Sequence, residues 1–318
     1  MELPIEIQEI LEKKIVNIKS KYLNEIFDKL SNDYIKNTGT GKEFLLNKDY
    51  VLVYALSRFN ATFSVVDFVL NKFDEYIKQD IETLLDVGGG MAIATINALY
   101  HFNIQNVDII ERNKNMIELG KEFLSKYDIN YQYINQDVNN FSSNKKYDMV
   151  ICSYFLSELN ENNRLKVVKK LLENTEKYLV IVDIGTPQGY KNILQIKKLL
   201  TNSGAKVMLP CPNADCPLDN NDWCHFVTRV NRTKINKLVK NAVVPYEDEK
   251  FCYLIIGKEN SFLQNNVVLR HPIKEKNKVD LVVCEKGSIK NYSINKKDLL
   301  YKKARKIKIG DELKVDKD

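Results

Sequence analysis

Three of the chain's six cysteines fall within fourteen residues: Cys211, Cys216 and Cys224 in the run LPCPNADCPLDNNDWCHF. A fourth candidate, Cys284, stands in VDLVVCEKG. The opening segment MELPIEIQEILEKK mixes Glu with Lys and lacks the pattern of an export signal, so disulfides are disfavoured and clustered thiols read as metal ligands. Four thiolates suit zinc or an iron–sulfur cluster. Paired C-x2-C knuckles would favour zinc, whereas C-x4-C-x7-C with a remote fourth thiol points toward iron and sulfide, with zinc as the alternative. His225, directly after Cys224, is the alternative fourth ligand. Cys152 and Cys252 lie in apolar runs and read as small buried hydrophobes.

A second constellation lies in LLDVGGGMAIATINAL, where Asp86, Gly88 and Gly90 form D-x-G-x-G, with Gly89 between the last two. Glycines at a strand-to-helix turn let the backbone approach a ligand, and the helix start offers free N–H groups. Dinucleotide binding needs a third glycine where Ile93 stands, which argues against NAD. Twenty-one residues beyond Gly90, Glu111 ends the next strand, where an acidic side chain accepts hydrogen bonds from ribose hydroxyls. Asp137, after the third strand, takes the place from which methyltransferases hold an adenine amino group, and Ser153 follows the fourth strand at the pocket mouth. In open α/β sheets ligands bind at the carboxyl ends of strands, and every residue in this set lies there. The expected cofactor is S-adenosylmethionine.

The elements that must position these residues follow from periodicity. From Ile7 to Tyr34 apolar residues recur at helical spacing, and after the loop NTGTGKEFLLNKD helical patterning resumes from Tyr50 to Ile77. Residues 1–80 are therefore expected to form a helical cap. From Thr83 short apolar runs (TLLDV, VDIIE, INYQYI, YDMVICSY, YLVIVDI, AKVML) alternate with helical stretches, which implies a parallel sheet covered on both faces. FCYLIIG is a late strand after a long irregular insertion, and a sheet closing in an antiparallel hairpin suits a methyltransferase better than a dehydrogenase. The expected fold is α/β, a Rossmann-like class I S-adenosylmethionine-dependent methyltransferase domain over 81–260 with a metal-binding insertion at 210–249. A C-terminal β-extension with a basic tail is expected over 261–318.

A chain of 318 residues, 44% hydrophobic and 10% aromatic, can bury a core, and it contains no apolar run long enough to span a bilayer. It is expected to be a soluble monomer of the cytoplasm, with no membrane partner. Lys and Arg number 48 against 42 Asp and Glu, with a late cluster of Lys296, Lys297, Lys302, Lys303, Arg305, Lys306 and Lys308. Such a cluster reads either as solvated surface or as an RNA contact.

Several phrases resemble a known family, the methyltransferase-like proteins of the small ribosomal subunit of bacteria and mitochondria. They are SRFNATFSVV, LLDVGGGMA, DMVICSYFLSEL, LVIVDIGTPQGY, the run from Pro210 to Arg232 and VPYEDEKFCYLII, and the resemblance spans roughly residues 50–290. It implies a class I methyltransferase domain that binds S-adenosylmethionine and small-subunit ribosomal RNA during subunit assembly, and a 4Fe-4S cluster on Cys211, Cys216, Cys224 and Cys284. Mitochondrial location is then the alternative to cytoplasmic. One departure is visible: the family turn reads DVGAGPGT, whereas Met91 and Ala92 follow Gly90 here. Two functions are compatible with the resemblance. One is methyl transfer to ribosomal RNA, for which no base or nucleophile is identified. The alternative is a non-catalytic iron–sulfur assembly factor that docks on RNA, presenting Arg229, Arg232, Lys234 and Lys237 to phosphate.

Overall fold

The computed structural model describes residues 3–37, 45, 47–77, 80–211, 216–218, 222–258 and 266–314. Parts of the expected loop after Asn37 and of the cysteine run lie outside the described residues. Helices α1 (Ile5–Ile15), α2 (Ser20–Asn37) and α3 (Lys48–Asp74) precede β1 (Thr83–Val87). Then follow α4 (Ile93–His101), β2 (Asn106–Glu111), α5 (Lys114–Leu124), β3 (Asn130–Asn135), β4 (Tyr147–Ser153), α6 (Glu161–Asn174) and β5 (Thr175–Ile184). Next come α7 (Pro187–Asn202), β6 (Lys206–Leu209), β7 (Phe226–Asn231), α8 (Lys234–Val239) and β8 (Tyr246–Gly257). The chain closes with β9 (Asn266–Val268), β10 (Ile273–Lys274), β11 (Lys278–Glu285), β12 (Ser288–Asn295) and α9 (Tyr301–Ala304). Two compact units result: Met1–Asp183 with Thr228–Glu249, and Ile184–Val227 with Lys250–Asp318.

In the first unit β1 is the middle of five parallel strands ordered β3-β2-β1-β4-β5. Leu84, Leu85, Val87, Met149, Val150 and Ile151 are all buried, the near-continuous apolar strands that a parallel sheet covered on both faces demands. This is the Rossmann-like class I methyltransferase sheet expected from the sequence. Helix α3 is buried on almost every side from Val51 to Phe73, as a helix without a polar face must be. Its few polar groups are used as anchors. Arg58 Nη1 and Nη2 donate to Glu249 Oε2 and Oε1 at 3.2 and 2.7 Å, and Asn60 Nδ2 donates to Asn231 O. Asn236 Nδ2, from α8, donates to Leu56 O and Ser57 O at 3.2 and 3.0 Å.

Two details differ from the pattern read in the sequence. The expected single helix from Ile7 to Tyr34 is broken between α1 and α2. Ile7 and Leu11 are buried in the first and Leu23, Ile26 and Leu30 in the second. At about 100° per residue, Ile7 and Leu23 would stand about 160° apart on one straight helix, so the turn is needed to bring both faces inward. The insertion is also not wholly irregular, because its later part forms β7 and α8. Thr233 caps α8 by accepting from Asn236 N at 3.1 Å, and Asn24 Nδ2 donates to Leu238 O and Val239 O at its end.

In the second unit β6 pairs antiparallel with β8, and a separate antiparallel sheet runs β10-β11-β12 with β9 beside β11. Val268, Val279, Leu281, Val283, Ile294, Ala304, Ile307 and Leu313 form its core. The phrase GTPQGY starts α7. Gly185 N donates to Lys250 O at 3.0 Å, Thr186 Oγ1 accepts from Gly189 N at 3.1 Å, and Pro187 opens the helix. A Cβ on Gly189 would lie 2.0 Å from Ile184 O, a backbone atom with little room to move. Among the described residues no helix is long and apolar enough to cross a membrane.

The start of α7 should therefore be sensitive to small changes. Thr186→Ala is expected to destabilise the second unit by about 1 kcal/mol, the usual cost of a lost N-cap. Gly189→Ala is expected to cost about 1–3 kcal/mol through overpacking. Trp223, the one tryptophan in the sequence, donates Nε1–H to Gly185 O at 2.9 Å, so urea unfolding followed by its fluorescence reads both effects.

Candidate functional site

At the end of β1 the backbone turns through Gly88 (φ +66°) and Gly90 (φ +53°), conformations that glycine adopts without strain. A Cβ on Gly88 would fall 2.4 Å from Phe155 Cγ, and one on Gly89 would fall 2.5 Å from Ile109 Cγ2. The turn is closed by Gly88 N and Gly89 N donating to Ile110 O at 2.9 and 3.2 Å. Together with Glu111, Asp137 and Ser153, these glycines line one cavity at the carboxyl ends of β1, β2 and β4. Met91 also lines it, from an almost fully buried position.

Asp86 stands differently from its companions. It is fully buried, is not part of the cavity lining, and its Oδ2 accepts from Thr95 N and Thr95 Oγ1 at 3.2 and 2.7 Å. It fastens the first turn of α4 to β1. Burial pushes its carboxyl up to about 6 against the two bonds from Thr95. Glu111 faces the cavity with its carboxylate fixed by backbone: Oε2 accepts from Gly90 N at 3.0 Å and Oε1 from Asn113 N at 2.7 Å. Burial raises its pKa, and those N–H donors oppose the rise. Asp137 Oδ1 accepts from Asn139 N and Nδ2, both at 2.8 Å, while Oδ2 lies 3.5 Å from Arg112 Nη1.

The cavity also holds a residue that motif reading missed. Glu158 lines it, and no hydrogen bond to its carboxyl is seen among the described residues. Burial, helped by the Glu111 carboxylate, pushes it up to about 7. A carboxyl poised near neutrality can take or give a proton. Its segment is held by Arg164, which donates Nε–H to Leu156 O and Nη2–H to Leu159 O at 2.9 and 2.7 Å. Tyr154, with φ +56°, takes a backbone conformation rare for a non-glycine residue and concentrated at functional sites. The signal available in the sequence was an acid in the otherwise apolar stretch YFLSEL just past a strand end.

The second unit gathers the thiols. Cys211, Cys216, Cys224 and Cys284 line one small cavity, with Leu218 and Leu269 among its apolar walls. Cys211 follows β6, Cys224 precedes β7 and Cys284 lies on β11. Burial pushes Cys224 well up and Cys284 to about 11, with the neighbouring thiols adding to both. Lys197 of α7 donates from Nζ to Cys211 O at 3.1 Å and reaches Cys211 Sγ at 3.5 Å. His225 is not part of this lining; its ring stacks on Trp223 with centroids 5.1 Å apart, and Nδ1 lies 3.0 Å from Trp223 O. Cys252 donates Sγ–H to Cys224 O at 3.1 Å, and Cys152 is fully buried in β4. Among the described residues no three His, Cys, Asp or Glu side chains converge closely enough to hold a metal ion.

The expected phosphate contacts are only partly free. Arg229 pairs with Asp248 at 2.8 Å and stacks on Tyr246, and Arg232 pairs with Glu247 at 3.0 Å. Acids on β8 claim both guanidinium groups, a pairing that a count of basic residues does not reveal. Lys234 is exposed on α8, as are Lys296, Lys297, Lys302, Lys303, Arg305, Lys306 and Lys308 near the C-terminus.

Residues 48–314 match the family described as mitochondrial small ribosomal subunit Rsm22. The human ribosome assembly protein METTL17, mitochondrial, is 25% identical over 256 residues, 70% of this chain and 55% of that protein. The ubiquinone biosynthesis O-methyltransferase of Rickettsia canadensis (strain McKiel) is 26% identical over 129 residues, 40% of this chain and 48% of its own. The chain thus spans about half the length of the curated relatives it matches. Among solved structures, the N-methyltransferase NodS of Bradyrhizobium japonicum WM9 with S-adenosyl-L-homocysteine aligns with a TM-score of 0.45 at 9% identity, over 73% of this chain and 100% of that one. Because the Rsm22 match takes in the whole glycine turn, β7, α8 and all four clustered thiols, the chain belongs to the mitochondrial small ribosomal subunit Rsm22 family.

Proposed function

We propose that this protein is an assembly factor of the small ribosomal subunit that binds its ribosomal RNA, retains an S-adenosylmethionine site and carries an iron–sulfur cluster. The supporting observation is that one family match, residues 48–314, takes in both the glycine-turn cavity and the thiol cavity. The family description and the human relative both concern mitochondria, which favours the mitochondrial compartment over the cytoplasmic one.

S-adenosylmethionine would be held by the Gly88–Gly90 turn, with Glu111 on the ribose, Asp137 toward the adenine and Ser153 at the mouth. Each carboxylate oxygen accepts more than one hydrogen bond, so Glu111 can serve ribose hydroxyls while Gly90 N and Asn113 N keep it in place. The cluster would be held by Cys211, Cys216, Cys224 and Cys284. Four thiols around one cavity are the donor set of an iron–sulfur group. A lone zinc ion needs its sulfurs about 2.3 Å from a common centre, whereas a cluster takes one thiolate at each corner and spaces them further apart.

Methyl transfer to RNA is a second reading, favoured by Glu158 alone. Its carboxyl, raised to about 7, would have to be ionised to accept a proton. Any methyl transfer should therefore increase with pH through about 7, and Glu158→Gln should abolish that rise while leaving cofactor affinity within a few-fold. A flat profile in the wild type would dismiss Glu158 as a base.

Two measurements test the main proposal. Sedimentation of the protein with small subunits should succeed at about 50 mM salt and weaken steeply by about 200 mM, because each neutralised phosphate releases a counterion. Protein that sediments free of small subunits at low salt would rule out docking. In calorimetry, Glu111→Ala should weaken S-adenosylmethionine by about ten- to hundredfold, the value of hydrogen bonds to a charged group, and adding Gly88→Arg should remove binding. Undiminished binding by the double variant would place the ligand elsewhere.

A further inference from the structure

We infer that Lys197 is the charge partner of the four-thiol site: its ammonium compensates the negative charge gathered there when the thiolates hold an iron–sulfur group, and so sets that group's reduction potential. This rests on the cluster proposed above. Lys197 is 4% exposed, and lysine is almost never that buried unless paired. Among the described residues its Nζ meets no carboxylate; its partners are Cys211 O at 3.1 Å and Cys211 Sγ at 3.5 Å. Its charge also reaches Cys284, where it favours the thiolate. The one cation thus acts on two of the four candidate ligands, one after β6 and one on β11.

A carbonyl and a neutral thiol do not compensate a buried ammonium, and four thiolates around one small cavity repel one another. Each side lacks what the other supplies. Bound to iron and sulfide, four thiolates outnumber the positive charge of the core, and the net anion left over is the partner Lys197 lacks. Net charge and hydrogen bonds to sulfur are the main protein levers on such a potential. A fixed cation favours the reduced, more negative state, so losing it must lower the potential.

The test uses full-length protein reconstituted anaerobically with iron and sulfide and titrated with dithionite. It compares wild type with Lys197→Met, which keeps the length and removes the charge, and Lys197→Arg, which keeps the charge. Lys197→Met is expected to cut the reduced-to-oxidised ratio at a fixed poise at least tenfold, about 59 mV for one electron, with Lys197→Arg staying near wild type. Before loading, Lys197→Met should melt no lower than wild type, since it removes a buried charge that meets no carboxylate among the described residues.

An unchanged potential in Lys197→Met, with iron and sulfide bound as in wild type, overturns the inference and leaves the cluster standing. Loss of folding by Lys197→Met before loading also overturns it, because it would show a packing role that needs no anion. Wild type that takes up no iron and sulfide, or takes them up equally as Cys284→Ser, sinks the four-cysteine cluster itself and this inference with it. That failure is recognisable because it appears with Lys197 intact.

Discussion

Arg58 and Glu249 stand 191 residues apart in sequence, and the paired hydrogen bonds between them fasten the chain's return to the first unit. The first unit is left after Asp183 and re-entered only for the hairpin Thr228–Glu249. That return buries Val230 and Val239, and polar groups on α3 fix it further: Arg58 on Glu249, Asn60 on the Asn231 carbonyl, and the Leu56 and Ser57 carbonyls beneath Asn236. Burial works against the charge on Arg58, and the Glu249 carboxylate more than offsets it. Losing either partner would leave the other charged, partly buried and alone, which costs more than the pair contributes. The phrase SRFNATF is therefore a docking strip on a buried helix.

The two cavities handle charge in opposite ways. In the first unit Asp86, Glu111 and Glu158 are all raised by burial, and two of them are steadied by backbone or hydroxyl donors at the glycine turn. Acid gathered there suits a ligand with hydroxyls and positive charge. In the second unit the polar groups are soft thiols with one buried ammonium beside them. Neither environment could substitute for the other. An acid-lined turn with backbone N–H groups cannot supply thiolate, and among the described residues the thiol cavity is lined by no glycine turn for a nucleotide.

Much of this was legible because it is local. The β1 turn, the alternation of strands and helices, and the placing of Gly88, Glu111 and Ser153 at strand ends all follow from patterns within a few residues. What was not legible is what depends on distant partners. Asp86 belongs to the motif, yet it is fully buried outside the cavity lining, with its Oδ2 taken by Thr95. Arg229 and Arg232 count as basic residues in the sequence and as ion pairs in the fold, because Asp248 and Glu247 arrive on the next strand. The break between α1 and α2 was hidden because both halves carry helical periodicity, and only the phase between them differs.

The phrase GTPQGY encodes positioning rather than chemistry. In GTPQGY, Gly185 allows close approach to Lys250 and Phe251, Thr186 caps α7, Pro187 pre-sets its first turn, and Gly189 leaves room for the Ile184 carbonyl. None of these residues presents a nucleophile or a base. A chemically poised group, Glu158, stands in another family phrase, DMVICSYFLSEL, where Arg164 holds its backbone by the Leu156 and Leu159 carbonyls. Tight steric requirements fall at the glycine turn and also on the strand-to-helix corner that launches α7, the helix carrying Lys197 to the thiols.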